Sequence, residues 1–135
     1  MKTLVSGCLL GLACRYDGAS KPHPKALEIA DAVPFCPECM GGLPTPRPPA
    51  EIRGDRVINA EGTDVTPQYR KGAEEALRLC RLLGIQKAVL KAKSPSCGCG
   101  LIYDGTFSRT LTPGNGITAA LLLQSGVEVI TEDDL

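Results

Sequence analysis

The sequence predicts an α/β fold in which a mostly parallel sheet is flanked by helices. Short apolar runs of strand type occur at Thr3–Ser6, Val33–Cys36, residues 86–92 and Val127–Ile130. Stretches of helical spacing separate them, and strands that alternate with helices imply βαβ crossovers over a parallel sheet. At 135 residues the chain is long enough to bury one core, so residues 1–135 are read as a single domain.

Each element follows from its own residues. Thr3-Leu-Val-Ser6 runs into a loop at 7–11, and Cys14 to Pro22 is loop-like. Pro24 to Ala32 carries Leu27, Ile29 and Ala30 at roughly helical spacing, a short helix. Pro34 puts the second strand near an edge or a strand start. Pro37, Pro44, Pro46, Pro48, Pro49 and two glycines crowd residues 37–50, so a stiff extended loop without helix is expected there. Glu51–Ile58 alternates around Gly54-Asp55, which predicts a small hairpin. Thr66-Pro67 opens the clearest helix, with Thr66 as N-cap and Pro67 at its first position. Tyr69, Ala73, Ala76, Leu77 and Cys80 form its apolar stripe, and Gly84 ends it. Tyr103 to Asn115 reads as a polar, turn-rich connection. Gly116 to Gln124 reads as a second helix with Ile117, Ala120, Leu121 and Leu123 on its apolar side.

Composition excludes several function classes. Net charge is zero, aromatic content is 4% and Trp is absent, so neither a broad cationic footprint nor a base-stacking platform for nucleic acid is indicated. No apolar run approaches the roughly 20 residues that span a bilayer. Met1 to Cys14 faintly resembles a lipoprotein signal, but Lys2 is its only basic residue and Gly11 stands where a lipobox wants an aliphatic one. The chain is therefore read as cytoplasmic, where thiols are kept reduced.

In that compartment seven cysteines are informative, since such clusters bind metal or do chemistry. Open α/β sheets bind ligands outside the carboxyl ends of their strands. Cys8 follows the first strand by two residues, Cys36 ends the second, and Cys97 and Cys99 lie in the loop after the third. Three loops at one sheet edge thus offer thiols. A four-cysteine zinc site is possible, although its spacing is not typical, and dispersed soft thiolates also suit an iron–sulfur cluster. Cys36-Pro-Glu-Cys39 also admits a dithiol redox reading, but the glycine- and proline-rich stretch after it speaks against the helix such a motif needs. Cys80 lies within a helix stripe and reads as core, and His23, between two prolines, reads as an exposed loop residue.

Ser6-Gly-Cys8-Leu-Leu-Gly11, Arg15-Tyr-Asp-Gly18, Cys36-Pro-Glu38, Gly41-Gly-Leu-Pro-Thr-Pro-Arg47, Ser94-Pro-Ser-Cys-Gly98 and Gly116-Ile-Thr-Ala-Ala-Leu121 resemble the domain of unknown function 523 family (DUF523). That family includes the thiouracil desulfidases, and the resemblance runs from about residue 4 to residue 130. It implies a Rossmann-like domain with a [4Fe-4S] cluster on three cysteines, here Cys8, Cys36 and Cys97, and one iron not bound by protein. It further implies non-redox removal of sulfur from a thiolated pyrimidine or a similar small thioamide. Glu38 would then be the general acid/base, with Ser94 and Ser96 holding substrate or water; Ser-Pro-Ser is equally ordinary turn chemistry. Arg15 and Arg47 either pair with Asp17 or Glu38 or lie in solvent. Cys39 and Cys99 depart from the family pattern and would close the free iron if either ligated it. The rival readings are a non-catalytic metal or iron–sulfur module and a dithiol protein using Cys36 and Cys39.

Overall fold

Four short strands build the central sheet of the computed structural model, which describes residues 1–135. They are β1 (Thr3–Ser6), β2 (Ala32–Phe35), β5 (Lys87–Leu90) and β8 (Glu128–Thr131). All pairings are parallel, in the order β2-β1-β5-β8. From β1 the chain goes to β2 on one side, while β5 and β8 lie on the other. The crevice between the carboxyl ends of β1 and β5 is thus a topological switch point, where sheets of this kind take ligands.

Both faces of the sheet are covered, as parallel strands require. Leu4, Ala88, Leu90 and Val129 face a core that also holds Ala76, Cys80, Ala119 and Leu122. These last four come from the long helix α3 (Thr66–Leu83) and from α4 (Ile117–Gln124). Val5 and Val89 face the other way, toward Cys8, Leu9 and Ala26. That layer is thin: a 3-10 turn at Gly7–Leu10 and the single-turn helix α1 (Pro24–Leu27). A third cluster joins the hairpin β3 (Ala50–Arg53) and β4 (Arg56–Asn59) to the start of α3 through Ala50, Val57, Val65 and Tyr69. No helix is long and apolar enough to cross a membrane.

The structure departs from the sequence expectations at identifiable places. Residues 37–40 form one helical turn, α2 (Pro37–Met40), where an extended loop was expected. Pro37 is tolerated because the first turn leaves its N–H unpaired in any case. The turn is held from outside: added Cβ atoms at Gly41 or Gly72 would collide with the carbonyls of Gln68 and Pro37, so α2 and α3 touch backbone to backbone. Thr66 is not the N-cap of α3; Val65 is. The Thr66 hydroxyl instead accepts the Val57 N–H at 2.7 Å, tying hairpin to helix, while Asp64 Oδ1 accepts the Thr66 N–H at 2.9 Å.

The connection at 103–115 contains a second hairpin, β6 (Leu101–Tyr103) with β7 (Leu111–Pro113). Three-residue strands give too little alternation to be read. In α4 the buried residues are Thr118, Ala119 and Leu122, and Leu123 is 40% exposed. Ile117 to Leu123 is apolar nearly all round, so spacing alone could not choose its inner face.

Candidate functional site

A cavity of about 470 Å³ opens at the carboxyl edge of the sheet. Cys8 reaches it from the 3-10 turn after β1, which Gly11 ends with a left-handed φ of 95°. Cys36 reaches it as the N-cap residue of α2, immediately after β2. Cys97 reaches it from the loop after β5. The structure therefore brings these three thiols, 28 to 89 positions apart in sequence, to one cavity.

The Cys97 loop is shaped by both serines, in different ways. Ser94 Oγ accepts the N–H groups of Ser96 and Cys97, each at 3.1 Å, and lines the cavity. Ser96 does not reach the cavity. It is fully buried, and its hydroxyl pairs with Thr118 Oγ1 at 2.8 Å, locking the loop to α4. The expected contact of Ser96 with substrate or water is thus replaced by a positioning role. Gly116, capping α4, sits so close to the Ser96 carbonyl that no side chain fits. Gly98 likewise packs against Ser94 and Ile102, not against the cavity.

Burial pushes the Cys8 thiol up to about 11, with Cys14 beside it adding to the rise. Burial and the charge of Glu38 push Cys97 up to about 12, and burial raises Cys36 as well. Ser6 mitigates this at one sulfur: its Oγ accepts the Lys91 N–H at 2.9 Å and donates to Cys97 Sγ at 3.5 Å. Hydrogen bonds of this kind are what ligating thiolates receive. The donor set fits an iron–sulfur group: soft sulfur from three loops around one cavity. The sulfurs do not meet at a point that a single ion would fill.

The other cysteines are placed differently. Cys39 Sγ faces Thr45 Oγ1 at 3.5 Å and Arg47 Nη1 at 3.9 Å and does not line the cavity. Cys99 donates to the Val129 carbonyl at 3.8 Å and packs on the α3/α4 core. Cys80 is buried in that same core. Cys14 does line the cavity, and its carbonyl accepts from Cys36 Sγ at 3.7 Å. His23 is half-buried and caps α1, its Nδ1 accepting the Lys25 N–H at 3.2 Å.

Glu38, in α2, projects into the cavity wall and is clamped there. Its Oε2 accepts from Arg47 Nη2 at 2.9 Å and from the Tyr69 hydroxyl at 3.5 Å. Arg47 is 8% exposed and also donates to the Cys14 carbonyl at 2.9 Å and to Thr45 Oγ1 at 3.1 Å. Its Nε is buried without a partner. Burial, and then the Glu38 charge, raise Tyr69 above its ordinary value, so it stays a neutral donor. Arg15, which also lines the cavity, makes a looser 3.9 Å contact with Asp17 and lies 5.8 Å from the centroid of the Tyr16 ring. Of the alternatives open for Arg47 in the sequence, pairing with Glu38 is the one found, whereas Tyr69 read only as one more core residue of α3. Lys91, whose Nζ meets Glu132 Oε2 at 2.8 Å, was missed because it ends an apolar strand.

A largely buried carboxylate, held by a guanidinium and a phenol, shares one cavity with three soft sulfur donors, and such a carboxylate is able to give and take protons there. Known proteins carry the same frame. The chain is 43% identical to the protein YbbK of Bacillus subtilis (strain 168) over 145 residues, spanning 98% of this chain and 96% of that one. It superposes on the solved structure of the [4Fe-4S]-dependent thiouracil desulfidase TudS with a TM-score of 0.95 at 50% identity, covering 99% of this chain and 92% of that one. Residues 3–134, all but the extreme ends, match the 2-thiouracil desulfurase family, and the chain belongs to that family.

Proposed function

We propose that this protein is a non-redox desulfidase that removes sulfur, as sulfide, from a thiolated pyrimidine of the thiouracil kind or a similar small thioamide. The observation that carries the reading is the meeting of Cys8, Cys36 and Cys97 with Glu38 around one cavity. The likeness to a [4Fe-4S]-dependent thiouracil desulfidase supports it. Cys8, Cys36 and Cys97 would hold a [4Fe-4S] cluster with one iron free of protein ligand: Cys39 and Cys99 lie outside the cavity, and Cys14, which lines it, is read as a structural thiol beside the cluster. When bound, the cluster supplies a Lewis-acidic iron that polarises a carbon–sulfur bond. Residues 1–135 act as one domain, in the cytoplasm, on a small molecule and not on nucleic acid or membrane.

The net reaction exchanges sulfur for oxygen: a thiocarbonyl and water give a carbonyl and hydrogen sulfide, with no electron gained or lost. Glu38 takes a proton from the attacking water and returns it to the departing sulfur. Arg47 and Tyr69 hold Oε2 of Glu38, leaving the carboxylate oriented through the transfer. Ser94 Oγ already accepts two amides, so its hydroxyl proton remains available to a substrate acceptor.

Anaerobic purification and iron analysis test the reading. The protein is expected to be brown, with about four irons, and to convert 2-thiouracil to uracil with release of sulfide. Glu38→Gln should keep the iron and lower sulfide formation by about 10²- to 10⁴-fold. Serine at Cys8, Cys36 or Cys97 should lose the iron. A colourless protein, or a brown one that releases no sulfide, overturns the reading.

A further inference from the structure

The loop joining β6 to β7 is held more firmly than a connection requires. Phe107 and Arg109 have φ of 56° and 60°, and both line the cavity. Left-handed backbone is unfavourable for a bulky side chain and persists only where the surroundings impose it. At Phe107 the surroundings are two side chains of β3, of which Glu51 also lines the cavity. Glu51, 9% exposed, uses Oε1 to accept the N–H groups of Gly105 at 3.0 Å and Phe107 at 3.1 Å. Arg53 donates Nε–H to the Gly105 carbonyl at 2.7 Å and lays its guanidinium 5.6 Å from the centroid of the Phe107 ring.

Core packing does not account for the ring, since Phe107 belongs to none of the three apolar clusters. A nearly buried carboxylate, a guanidinium and a disfavoured backbone all converge on one half-buried aromatic residue. Arg53 does not reach the cavity, whereas Phe107 does, so the ring is braced from behind.

We propose that Phe107 is a specificity-determining residue, its ring forming the flat apolar wall against which the conjugated ring of the substrate stacks. Glu51 and Arg53 act through it as positioning residues. The assignment rests on the desulfidase reading of the cavity and deepens it: the preferred substrate is planar and conjugated, not merely a thioamide. Stacking on an aromatic side chain is tolerant of ring substituents, because it reads a π-face and not a hydrogen-bond pattern.

The test compares uracil with 5,6-dihydrouracil, which offers the same polar groups on a puckered ring. Binding of each to the cluster-loaded protein is measured by calorimetry, alongside KM and kcat for 2-thiouracil. The wild-type protein should bind uracil about tenfold more tightly than dihydrouracil. Phe107→Leu and Phe107→Ala should erase that preference and raise KM about tenfold with kcat little changed, while Phe107→Tyr keeps both. Phe107→Leu preserves apolar bulk, so it decides the matter if the alanine variant does not fold. An unaltered preference for uracil in Phe107→Leu overturns the stacking assignment. Sulfide release by the wild-type protein is scored separately, so its absence sinks the desulfidase reading while the binding comparison still reports on Phe107.

Discussion

At the scale of single residues the site turns on a buried ion pair. Arg47 and Glu38 have side chains 4% and 14% exposed, with 2.9 Å between Nη2 and Oε2. Removing one partner of such a pair leaves an uncompensated charge away from water, which costs about 3–5 kcal/mol. Arg47→Ala is therefore expected to destabilise the protein by that order in urea denaturation. Pairing it with Glu38→Ala should return part of the loss, because the stranded carboxylate is then gone. Arg47→Lys should fall between, since a lysine cannot serve the Glu38 carboxylate, the Cys14 carbonyl and Thr45 together. Glu38 was legible from its place beside Cys36. Its clamp was legible only in part: pairing with Arg47 was one alternative among several, and the Tyr69 hydroxyl, on a helix more than thirty positions away, was not signalled at all.

At the scale of elements the contact between α2 and α3 sets where Cys36 and Glu38 point. The two helices meet at Gly72, where a Cβ would strike the Pro37 carbonyl. Gly72→Ala is expected to lower stability by about 1–3 kcal/mol, since backbone cannot give way as a side chain tip can. Thermal denaturation measures this, with the exposed neighbouring change Lys71→Ala expected to stay within about 0.5 kcal/mol. A Gly72→Ala protein as stable as the parent would mean that α2 shifts freely. This contact also explains why α2 was unreadable. Its four residues carry no helical signal of their own, and the turn exists because α3 receives it. The long, periodic α3 needed no such help.

At the scale of the molecule, the last turn of the chain fastens the floor of the cavity. Glu132 accepts the Ala92 N–H at 2.7 Å through Oε1 and meets Lys91 Nζ at 2.8 Å through Oε2. Burial alone would raise its carboxyl, but these two partners outweigh that and hold it below its ordinary value of 4.5. The unfolded chain thus takes up this proton at a higher pH than the folded one. The stabilisation is present above 4.5 and is lost as pH falls through the depressed value. In urea denaturation across pH, wild type should exceed Glu132→Gln by about 1–3 kcal/mol at neutral pH. That gap should close on acidification, and a gap independent of pH would contradict the assignment.

What the sequence determined by itself was the layered α/β plan and the edge at which chemistry would gather. Parallel strands all end on one side, so cysteines that follow strands must share that side whatever the packing details. Which thiols face inward was decided only by tertiary structure. Cys97 and Cys99 are two residues apart, yet Cys97, part of the α3/α4 core, also lines the cavity, while Cys99 packs against that core without reaching it. Ser94 and Ser96 divide in the same way, one at the cavity and one against Thr118. The partners that hold the inward members come from far along the chain: Thr118 of α4 takes the Ser96 hydroxyl, and the Val129 carbonyl of β8 takes the Cys99 thiol. The Glu38 clamp and the braced Phe107 ring have the same origin, in side chains that meet only once the helices and hairpins have packed.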